Sequence, residues 1–287
     1  MTLKAAFIGL GAMGAPMAGH LHAHGLLCAV ANRTHAKAVA LAATLGVAAP
    51  ATLAELAAGC DIVALCVTAD ADVLATVAAL APHLKPGSVV IDHSTVAPAT
   101  ARQAAARLAE VGVDFLDAPV SGGVEGAKSG KLSVMVGGEA EVLERARAVL
   151  EAYALRVTHL GGVGAGQATK AVNQVLVAGI AQAVCEGLAL GEALGLDPQR
   201  LLPTLGAGAA GNWFLEKRGA SMSRNEFSVG FKLALLHKDL AIVQGIAAQV
   251  GCSGRVIEQS LADYAELMRQ GHGDDDISAL IRLKRPV

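Results

Sequence analysis

The chain has 287 residues, of which 53% are hydrophobic and 17% charged, and its formal net charge is −2. That length exceeds one small core and falls short of three, so we expect two domains. The near-neutral balance, without any block of basic residues, argues against a nucleic-acid partner. Aromatic residues make up only 3% of the chain, so an aromatic side chain in a cleft would be informative.

The cysteines and the apolar stretches indicate the cellular compartment in which the protein is expected. The five cysteines are scattered, odd in number and without a CxxC pair, which predicts small buried thiols in a reducing environment. The first residues run directly into a strand and a Gly-rich turn, unlike a signal peptide. The most apolar later stretch, Val175 to Cys185, is too short to span a bilayer and is interrupted by Gln182. We therefore expect a cytoplasmic protein without membrane contact.

Strand-like and helical segments alternate through the first half of the chain. This rhythm is typical of a parallel sheet covered by helices on both faces. The predicted elements are strand 4–9, helix 12–24, strand 27–32, helix 35–45, strand 61–67, helix 71–81, strand 88–92, helix 98–111 and strands 113–117, 132–136 and 156–159.

After Gly166 the pattern becomes helical throughout. One long helix is predicted from Lys170 to about Leu194, and Asp197-Pro198 and Asp276 resemble helix starts. The sequence therefore predicts an α/β fold: an N-terminal Rossmann-type doubly wound sheet in residues 1–162, then an all-α domain in residues 163–287, joined by a long interdomain helix. The other predicted helices are 198–206, 215–223, 231–250, 254–270 and 275–283.

The first strand leads into Gly9-Leu10-Gly11-Ala12-Met13-Gly14, which matches the dinucleotide pattern G-x-G-x-x-G. Gly9 permits the tight turn, Gly11 lets a pyrophosphate approach the backbone, and Gly14 lets helix and strand pack closely. The helix N-terminus then offers N–H groups to the anion. A second match, from Gly206 to Gly211, follows a helical stretch instead of a strand, so we discount it.

The end of the second strand indicates which dinucleotide binds. NAD enzymes usually carry an acidic residue there for the ribose hydroxyls, but this chain has Asn32-Arg33-Thr34, with Lys37 nearby. A planar guanidinium suits a 2′-phosphate, so we predict NADP, with NAD as the second possibility. The alternative is that Arg33 is a solvated loop residue. Val67 and Thr68, at the end of the 61–67 strand, complete the predicted cofactor contacts.

Two later strand ends predict a substrate site, since ligands bind beyond the carboxyl ends of parallel strands. Ser121-Gly122-Gly123 offers a hydroxyl and bare backbone N–H groups that suit a carboxylate. Thr95 closes another strand at the same edge and is expected to touch nicotinamide or substrate. The alternative is an ordinary Gly-rich turn.

Lys170 lies near the start of the long helix, just after Gly164-Ala-Gly166. A cation there faces the positive end of the helix dipole, which does not favour stability. The dipole and partial burial should lower the lysine pKa toward neutrality, as a general acid requires. Asn173 and Gln174, at i+3 and i+4, are placed to orient it and to bond substrate. The alternative is a surface lysine at a helix start.

Four motifs in order now resemble one family. They are FIGLGAMGAPMAGHL, DAPVSGGVEGAKSGKLSVMVGG, GAGQATKAVNQ and HKDL at 237–240. Over nearly its whole length the chain resembles the β-hydroxyacid dehydrogenases, the group that contains 3-hydroxyisobutyrate dehydrogenase and tartronate semialdehyde reductase. Many members have Asn-Asn where this chain has Asn173-Gln174, so the resemblance supports Asn173 more strongly than Gln174.

The resemblance implies a role for each matching residue. Lys170 corresponds to the catalytic lysine, Ser121, Gly122 and Gly123 to the carboxylate-binding loop, Thr95 to the residue beside nicotinamide and substrate, Lys238 (with Asp239) to a cofactor contact, and Phe231 to a residue that lines the cleft. Trp213 falls where relatives vary with substrate, so either a pocket wall or core packing fits it. A homodimer or homotetramer, built partly through the helical domain, is also implied.

The sequence therefore predicts an NADP-dependent oxidoreductase that interconverts a small 3-hydroxy acid and its semialdehyde. Hydride would move to or from nicotinamide C4, with Lys170 as the general acid or base. An imine reductase and a non-catalytic cofactor-binding scaffold are the alternatives, and retention of Lys170 argues against both. No metal site is expected: His20 and His24 lack a third ligand, and Asp274-Asp275-Asp276 resembles a solvated helix N-terminus. Which acid or semialdehyde is bound stays open.

Overall fold

The computed structural model describes residues 3–286, and its contacts divide the chain into two compact units. The first unit ends at Lys170 and the second begins at Ala171. The sequence-based boundary at 162/163 lies eight residues earlier. The difference arises because the first turn of the long helix is hydrogen-bonded to Asp117 of the first unit.

The first unit contains a five-stranded parallel sheet in the order β2-β1-β3-β4-β5. Ala48 forms an isolated parallel bridge with Ala29 on the outer side of β2. If this bridge is counted as a vestigial strand, the order becomes that of a dinucleotide-binding sheet, 3-2-1-4-5-6. The strands are β1 (Ala5–Ile8), β2 (Leu27–Ala31), β3 (Ile62–Leu65), β4 (Val89–Asp92) and β5 (Asp114–Asp117).

Side chains of β1 alternate between two separate cores, as the two-residue period of a strand requires. In β1, Ala5 and Phe7 pack into one core, whereas Ala6 and Ile8 pack into the other. Both faces of the sheet are thus covered, and the doubly wound fold is confirmed. The helices of this unit are α1 (Gly14–Ala23), α2 (His35–Leu45), α3 (Leu53–Ala58), α4 (Asp70–Leu80), α5 (Pro98–Ala109), α6 (Gly123–Ser129) and α7 (Ala140–Glu151).

A second, three-stranded sheet follows β5. It consists of β6 (Val120–Ser121), β7 (Leu132–Val136) and β8 (Ala154–His159), with β6 antiparallel and β8 parallel to β7. An antiparallel bridge between Asp117 and Gly137 connects it to the end of β5. This sheet therefore carries Ser121 to the edge where the parallel strands end.

The second unit is helical. Its core combines residues of all its helices, with Tyr264, Leu236 and Ala279 fully buried. The long helix α8 (Ala165–Ala193) begins in the first unit and continues into the second. The remaining helices are α9 (Pro198–Gly206), α10 (Trp213–Ser223), α11 (Leu233–Val250), α12 (Arg255–Arg269) and a 3₁₀ helix, Ile277–Leu283. The second G-x-G-x-x-G match lies in the connection between α9 and α10, after a helix.

Two sequence-based expectations need correction. Gln182 does not interrupt the helix, so Val175 to Cys185 is only part of α8. By length and composition alone, α8 and α11 could each cross a membrane. Apolar core helices of soluble proteins satisfy the same criterion, so this is weak evidence. In addition, Cys252 is exposed at the turn after α11, so not every thiol is buried.

Candidate active site

The Gly-rich loop between β1 and α1 has the geometry of a dinucleotide cradle. Gly9 has φ +94°, and a Cβ there would lie 2.2 Å from the Cys66 carbonyl oxygen; a Cβ on Gly14 would lie 1.8 Å from the Gly9 oxygen. These two glycines are therefore required by packing. A Cβ on Gly11 would meet nothing within 4 Å, so the open space there suits the close approach of a ligand. No acidic residue stands in the first turn of α1, which leaves its positive end available for a pyrophosphate.

The end of β2 is tied to this loop. Asn32 Oδ1 accepts the N–H of Leu10 at 3.0 Å, and Asn32 Nδ2 donates to the Thr34 carbonyl at 3.2 Å. Asn32 therefore holds the loop and the strand end together. Arg33 is exposed and lies 3.4 Å from Asp72 of α4, while Thr34 is the N-cap of α2, whose first turn contains Lys37. The guanidinium is on the surface, as a 2′-phosphate ligand needs, but it faces a carboxylate that the sequence did not predict.

The ends of β3 and β4 are joined by Ser94. Its Oγ accepts the N–H of Val67 at 2.9 Å, and its own N–H donates to Asp92 Oδ1 at 2.9 Å. Thr68 is exposed and Thr95 is half-buried at the same edge. The structure thus brings Val67 beside the segment that carries Thr95.

A buried histidine supports this edge from within the sheet. His93 Nδ1 lies 2.7 Å from the Ala118 carbonyl, so it donates, and Nε2 accepts from the Tyr153 hydroxyl at 2.8 Å. Burial lowers the pKa of His93 to about 4, which keeps the imidazole neutral and agrees with this arrangement. Its bonds indicate a structural role.

Lys170 is buried, with 7% of its surface exposed, and its Nζ donates to the Val120 carbonyl at 2.8 Å. The alternative of a surface lysine at a helix start is therefore wrong. Val120 precedes Ser121 in β6, so the ammonium is anchored on the strand that carries the predicted carboxylate loop. Gly122 has φ +131°, a backbone conformation that favours glycine, and Gly123 begins α6.

Asp117 holds the start of the helix that carries Lys170. Its Oδ1 accepts the N–H of Gly164 at 2.7 Å, and its Oδ2 accepts the N–H of Gln167 at 2.8 Å. Burial raises the pKa of Asp117, although these backbone donors act in the opposite direction. The carboxylate thus comes from a residue about fifty positions earlier, and the first turn of α8 contains no acidic residue of its own.

In the second unit, the amide pair meets the Lys-Asp motif of α11. Asn173 Nδ2 donates to Gln174 Oε1 at 2.8 Å, and Gln174 Nε2 donates to Asp239 Oδ2 at 2.7 Å. Lys238 Nζ lies 2.9 Å from Asp239 Oδ1. Gln174 is buried and both ends of its amide are engaged within the protein, so these contacts hold Asn173 and Lys238 in one network.

Trp213 and Phe231 share a second network, centred on Asp276. The buried carboxylate accepts from Arg218 Nε at 3.2 Å and from the N–H of Phe231 at 3.0 Å. The Arg218 guanidinium lies 5.4 Å from the Trp213 ring centroid. Trp213 is 49% exposed, so core packing does not explain it, whereas Phe231 is half-buried.

The polar clusters outside these networks have ordinary roles. His20 Nε2 donates to the Ala127 and Lys128 carbonyls at 3.0 and 3.1 Å, so it caps the end of α6. Asp276 is fully buried and caps the 3₁₀ helix, so the expectation of a solvated terminus is wrong for it; Asp274, in contrast, is exposed and pairs with Lys232. Within residues 3–286, no three His, Cys, Asp or Glu side chains gather in a metal-binding arrangement.

Three residues at the site were not singled out from the sequence. Asp92 and Asp117 end two strands, and Gln167 stands three residues before Lys170 in a run of small residues. A polar side chain at the end of a buried strand, or one helical turn before a catalytic candidate, is a signal that could have identified them.

Comparison with known proteins agrees with this geometry. A protein-family model described as the NAD binding domain of 6-phosphogluconate dehydrogenase matches residues 4–161. A second family model, described as NAD-binding of NADP-dependent 3-hydroxyisobutyrate dehydrogenase, matches residues 164–284. The chain is 37% identical to the NAD-dependent L-serine dehydrogenase of Pseudomonas aeruginosa, covering 98% of this chain and 97% of that one. It is 36% identical to the 2-hydroxy-3-oxopropionate reductase of Escherichia coli, over 83% and 82% of the two chains.

Solved structures extend the comparison. A Mycobacterium tuberculosis 3-hydroxyisobutyrate dehydrogenase with L-serine superposes with a TM-score of 0.89 at 34% identity, covering both chains fully. An imine reductase from Pseudomonas sp. has a TM-score of 0.67 at 18% identity, which shows only that the fold is shared.

The cradle, the buried lysine and these matches define an NAD(P)-dependent oxidoreductase with a Rossmann domain followed by a helical domain. The chain belongs to the β-hydroxyacid dehydrogenase family, which includes 3-hydroxyisobutyrate dehydrogenases and 2-hydroxy-3-oxopropionate reductases.

Proposed function

We propose that this protein is a cytoplasmic, NADP-dependent enzyme that interconverts a small 3-hydroxy acid and its semialdehyde, of the 3-hydroxyisobutyrate or 2-hydroxy-3-oxopropionate type. The observation that carries the proposal is the buried Lys170, whose Nζ is anchored 2.8 Å from the Val120 carbonyl on the strand that leads into Ser121. A buried lysine beside a Gly-rich loop combines a proton donor with an anion-binding backbone.

Different residues of the protein bind the substrate, transfer the proton and orient the reacting groups. Ser121, Gly122 and Gly123 hold the substrate carboxylate through the hydroxyl and backbone N–H groups. Lys170 gives a proton to the carbonyl oxygen during reduction and takes it from the hydroxyl during oxidation. Asn173 bonds the substrate and is itself oriented by Gln174. The nicotinamide, when bound, supplies the hydride in reduction and accepts it in oxidation.

The preference for NADP rests on the end of β2. Asn32, Arg33 and Thr34 stand where an NAD enzyme usually has a carboxylate, and the exposed Arg33 guanidinium suits a 2′-phosphate. Asp72 lies 3.4 Å from Arg33 and competes for it, so the preference should be moderate. The matched serine dehydrogenase is named for NAD and the C-terminal family model for NADP, so the proposal depends on these residues.

We also propose a homodimer or homotetramer built through α8. Exposed apolar residues recur along this helix at intervals of three and four, which is the spacing of a helix–helix contact. The stripe consists of Val172, Leu176, Ile180, Ala183, Gly187 and Leu190, together with Leu194 just after the helix ends.

A substrate panel with both cofactors tests the reaction. The purified protein is assayed with NADPH and NADH on succinic, methylmalonate and tartronate semialdehydes and glyoxylate. In the oxidative direction it is assayed with NADP⁺ and NAD⁺ on L-serine and 3-hydroxyisobutyrate. We expect turnover of at least one of them, with kcat/KM at least about tenfold higher for the phosphorylated cofactor. Reduction of a cyclic imine but of no semialdehyde would favour an imine reductase. Tight NADPH binding without any turnover would favour a non-catalytic scaffold.

Replacement of Lys170 tests the proton transfer. Lys170→Met keeps most of the length of the side chain and removes the ammonium group that donates the proton. The kcat should therefore fall by about 10²- to 10⁴-fold while NADPH still binds. Lys131→Met, an exposed lysine after α6, is the matched control and should retain wild-type turnover. A Lys170→Met enzyme within about tenfold of wild type would remove the general-acid role.

A further inference from the structure

The buried side-chain amide of Gln167 bonds the backbone on both sides of Thr95, the residue predicted to face nicotinamide and substrate. Gln167 is 1% exposed; its Nε2 donates to the Ser94 carbonyl at 2.7 Å, and its Oε1 accepts the N–H of Val96 at 3.2 Å. These two backbone groups belong to the residues on either side of Thr95. The reverse orientation of the amide would place two donors together and two acceptors together, so only one orientation satisfies both groups.

The turn of α8 that carries Gln167 is itself fixed. The Gln167 N–H donates to Asp117 Oδ2 at 2.8 Å. A Cβ on the neighbouring Gly166 would lie 2.4 Å from the Met135 carbonyl oxygen, so the helix start is packed closely against the protein. Lys170 follows Gln167 by three residues, and its Nζ is bonded to the Val120 carbonyl. The same closely packed turn of α8 therefore carries Lys170 and Gln167, whose side chain clamps the Thr95 segment by its bonds to Ser94 and Val96.

We propose that Gln167 is a positioning residue that sets the place of Thr95 relative to Lys170. This inference rests on the proposed function, because it needs Lys170 and Thr95 to act on the same substrate. The two hydrogen bonds from Gln167 restrict the backbone on both sides of Thr95. They therefore limit the positions that the Thr95 hydroxyl can take before substrate binds. A displacement of about 1 Å in such a group is enough to lower turnover by about a hundredfold.

The test is Gln167→Met, which keeps the shape of the side chain and removes both hydrogen bonds. We expect faster hydrogen exchange of the Val96 amide, measured by NMR without ligand. We further expect kcat to fall by about ten- to a hundredfold, with a change in the Kd for NADPH of less than about threefold. Gln167→Glu keeps an acceptor for the Val96 N–H and loses the donor to Ser94. It should lower kcat in the same direction with a smaller increase in Val96 exchange, and it replaces the Met variant if that does not fold.

Gln182→Met is the matched control. Gln182 lies on the same helix, fifteen residues further along and so about 22 Å away, and its Nε2 also makes two hydrogen bonds, to Ser260 and Asp263. It should leave Val96 exchange and kcat unchanged even if the melting temperature falls.

The outcomes separate this inference from the proposed function. A wild-type protein that turns over no substrate of the panel overturns the proposed function. An active wild type whose Gln167→Met variant retains its kcat, or loses no more than Gln182→Met, overturns only the positioning role, and unchanged Val96 exchange shows that the clamp does not restrain the segment.

Discussion

Asp92 is a buried carboxyl at the end of β4, next to the segment that carries Thr95. One oxygen accepts the N–H of Ser94, and the other has no hydrogen-bond partner among the described residues. Burial raises its pKa to about 7, with smaller contributions from the charges of Asp117 and Asp70. The group that ends β4, three residues before Thr95, therefore changes its charge near neutral pH.

This pKa makes folding stability depend on pH. The unfolded carboxyl has a pKa of about 3.9, so between about pH 4 and pH 7 the folded state keeps a proton that the unfolded state has lost. The free energy of unfolding therefore falls as pH rises through this window and is constant above it. Asp92→Asn imitates the neutral form, so its stability relative to wild type should increase from pH 4 to pH 7 and then level off.

Thermal unfolding at pH values from 4 to 8 measures this difference. Asp61→Asn is the control, because Asp61 also accepts one backbone N–H, that of Lys4, but is exposed. A difference between Asp92→Asn and wild type that does not vary with pH, or that decreases as pH rises, would show that Asp92 is ionised throughout this range.

At the scale of the elements, the start of α8 depends on a residue outside the helix. A helix N-terminus is stabilised by an acceptor for its first N–H groups and by a negative charge, and Asp117 provides both from the end of β5. This explains how Lys170 can stand near the positive end of the helix without a local acidic neighbour.

Replacement of Asp117 should therefore weaken both the helix start and the reaction. Asp117→Asn leaves one acceptor oxygen for two N–H groups and removes the charge, so we expect the free energy of unfolding to fall by about 1–3 kcal/mol and kcat to fall as well. Urea denaturation and steady-state assays measure these changes. Asp197→Asn, which alters the N-cap of α9, is the control for a cap far along the chain from Lys170. Wild-type stability and turnover in Asp117→Asn would contradict the capping role.

At the scale of the whole molecule, the exposed stripe on α8 needs an explanation. Val172 and Leu176 are 62% and 61% exposed, and the stripe continues to Leu194. Contiguous apolar surface of this kind marks an interaction site. A second copy of the chain would cover it, and the same residues account for the apolar character of the helix.

A charge within the stripe should break the assembly. Leu176→Glu is expected to convert the proposed oligomer to smaller species, because association would bury the unpaired carboxylate. Size-exclusion chromatography with light scattering gives the mass. Val250→Glu, which alters a similarly exposed residue at the end of α11, should keep the wild-type mass. A monomeric wild type, or an unchanged mass in Leu176→Glu, would contradict assembly through α8.

Local patterns predicted most elements because periodicity and turn residues act over a few positions. All five strands of the parallel sheet and the helices of the second unit were expected within a few residues of their bounds. Three α-helices were missed: α3 is only six residues long, α6 contains glycines, and α7 lies in a stretch that was not assigned. The strand β6 has two residues and no pattern of its own.

The sequence by itself determined the cofactor class and the family, because the Gly-rich turn between a strand and a helix, and the motif around Lys170, are contiguous. Only the tertiary structure decided which contacts hold the site residues in place within each unit. The bonds from Lys170 to Val120, from Gln167 to Ser94 and from Gln174 to Asp239 join residues 50 to 73 positions apart. Such pairings depend on which strand ends and helix turns the fold brings side by side, and no local period encodes them.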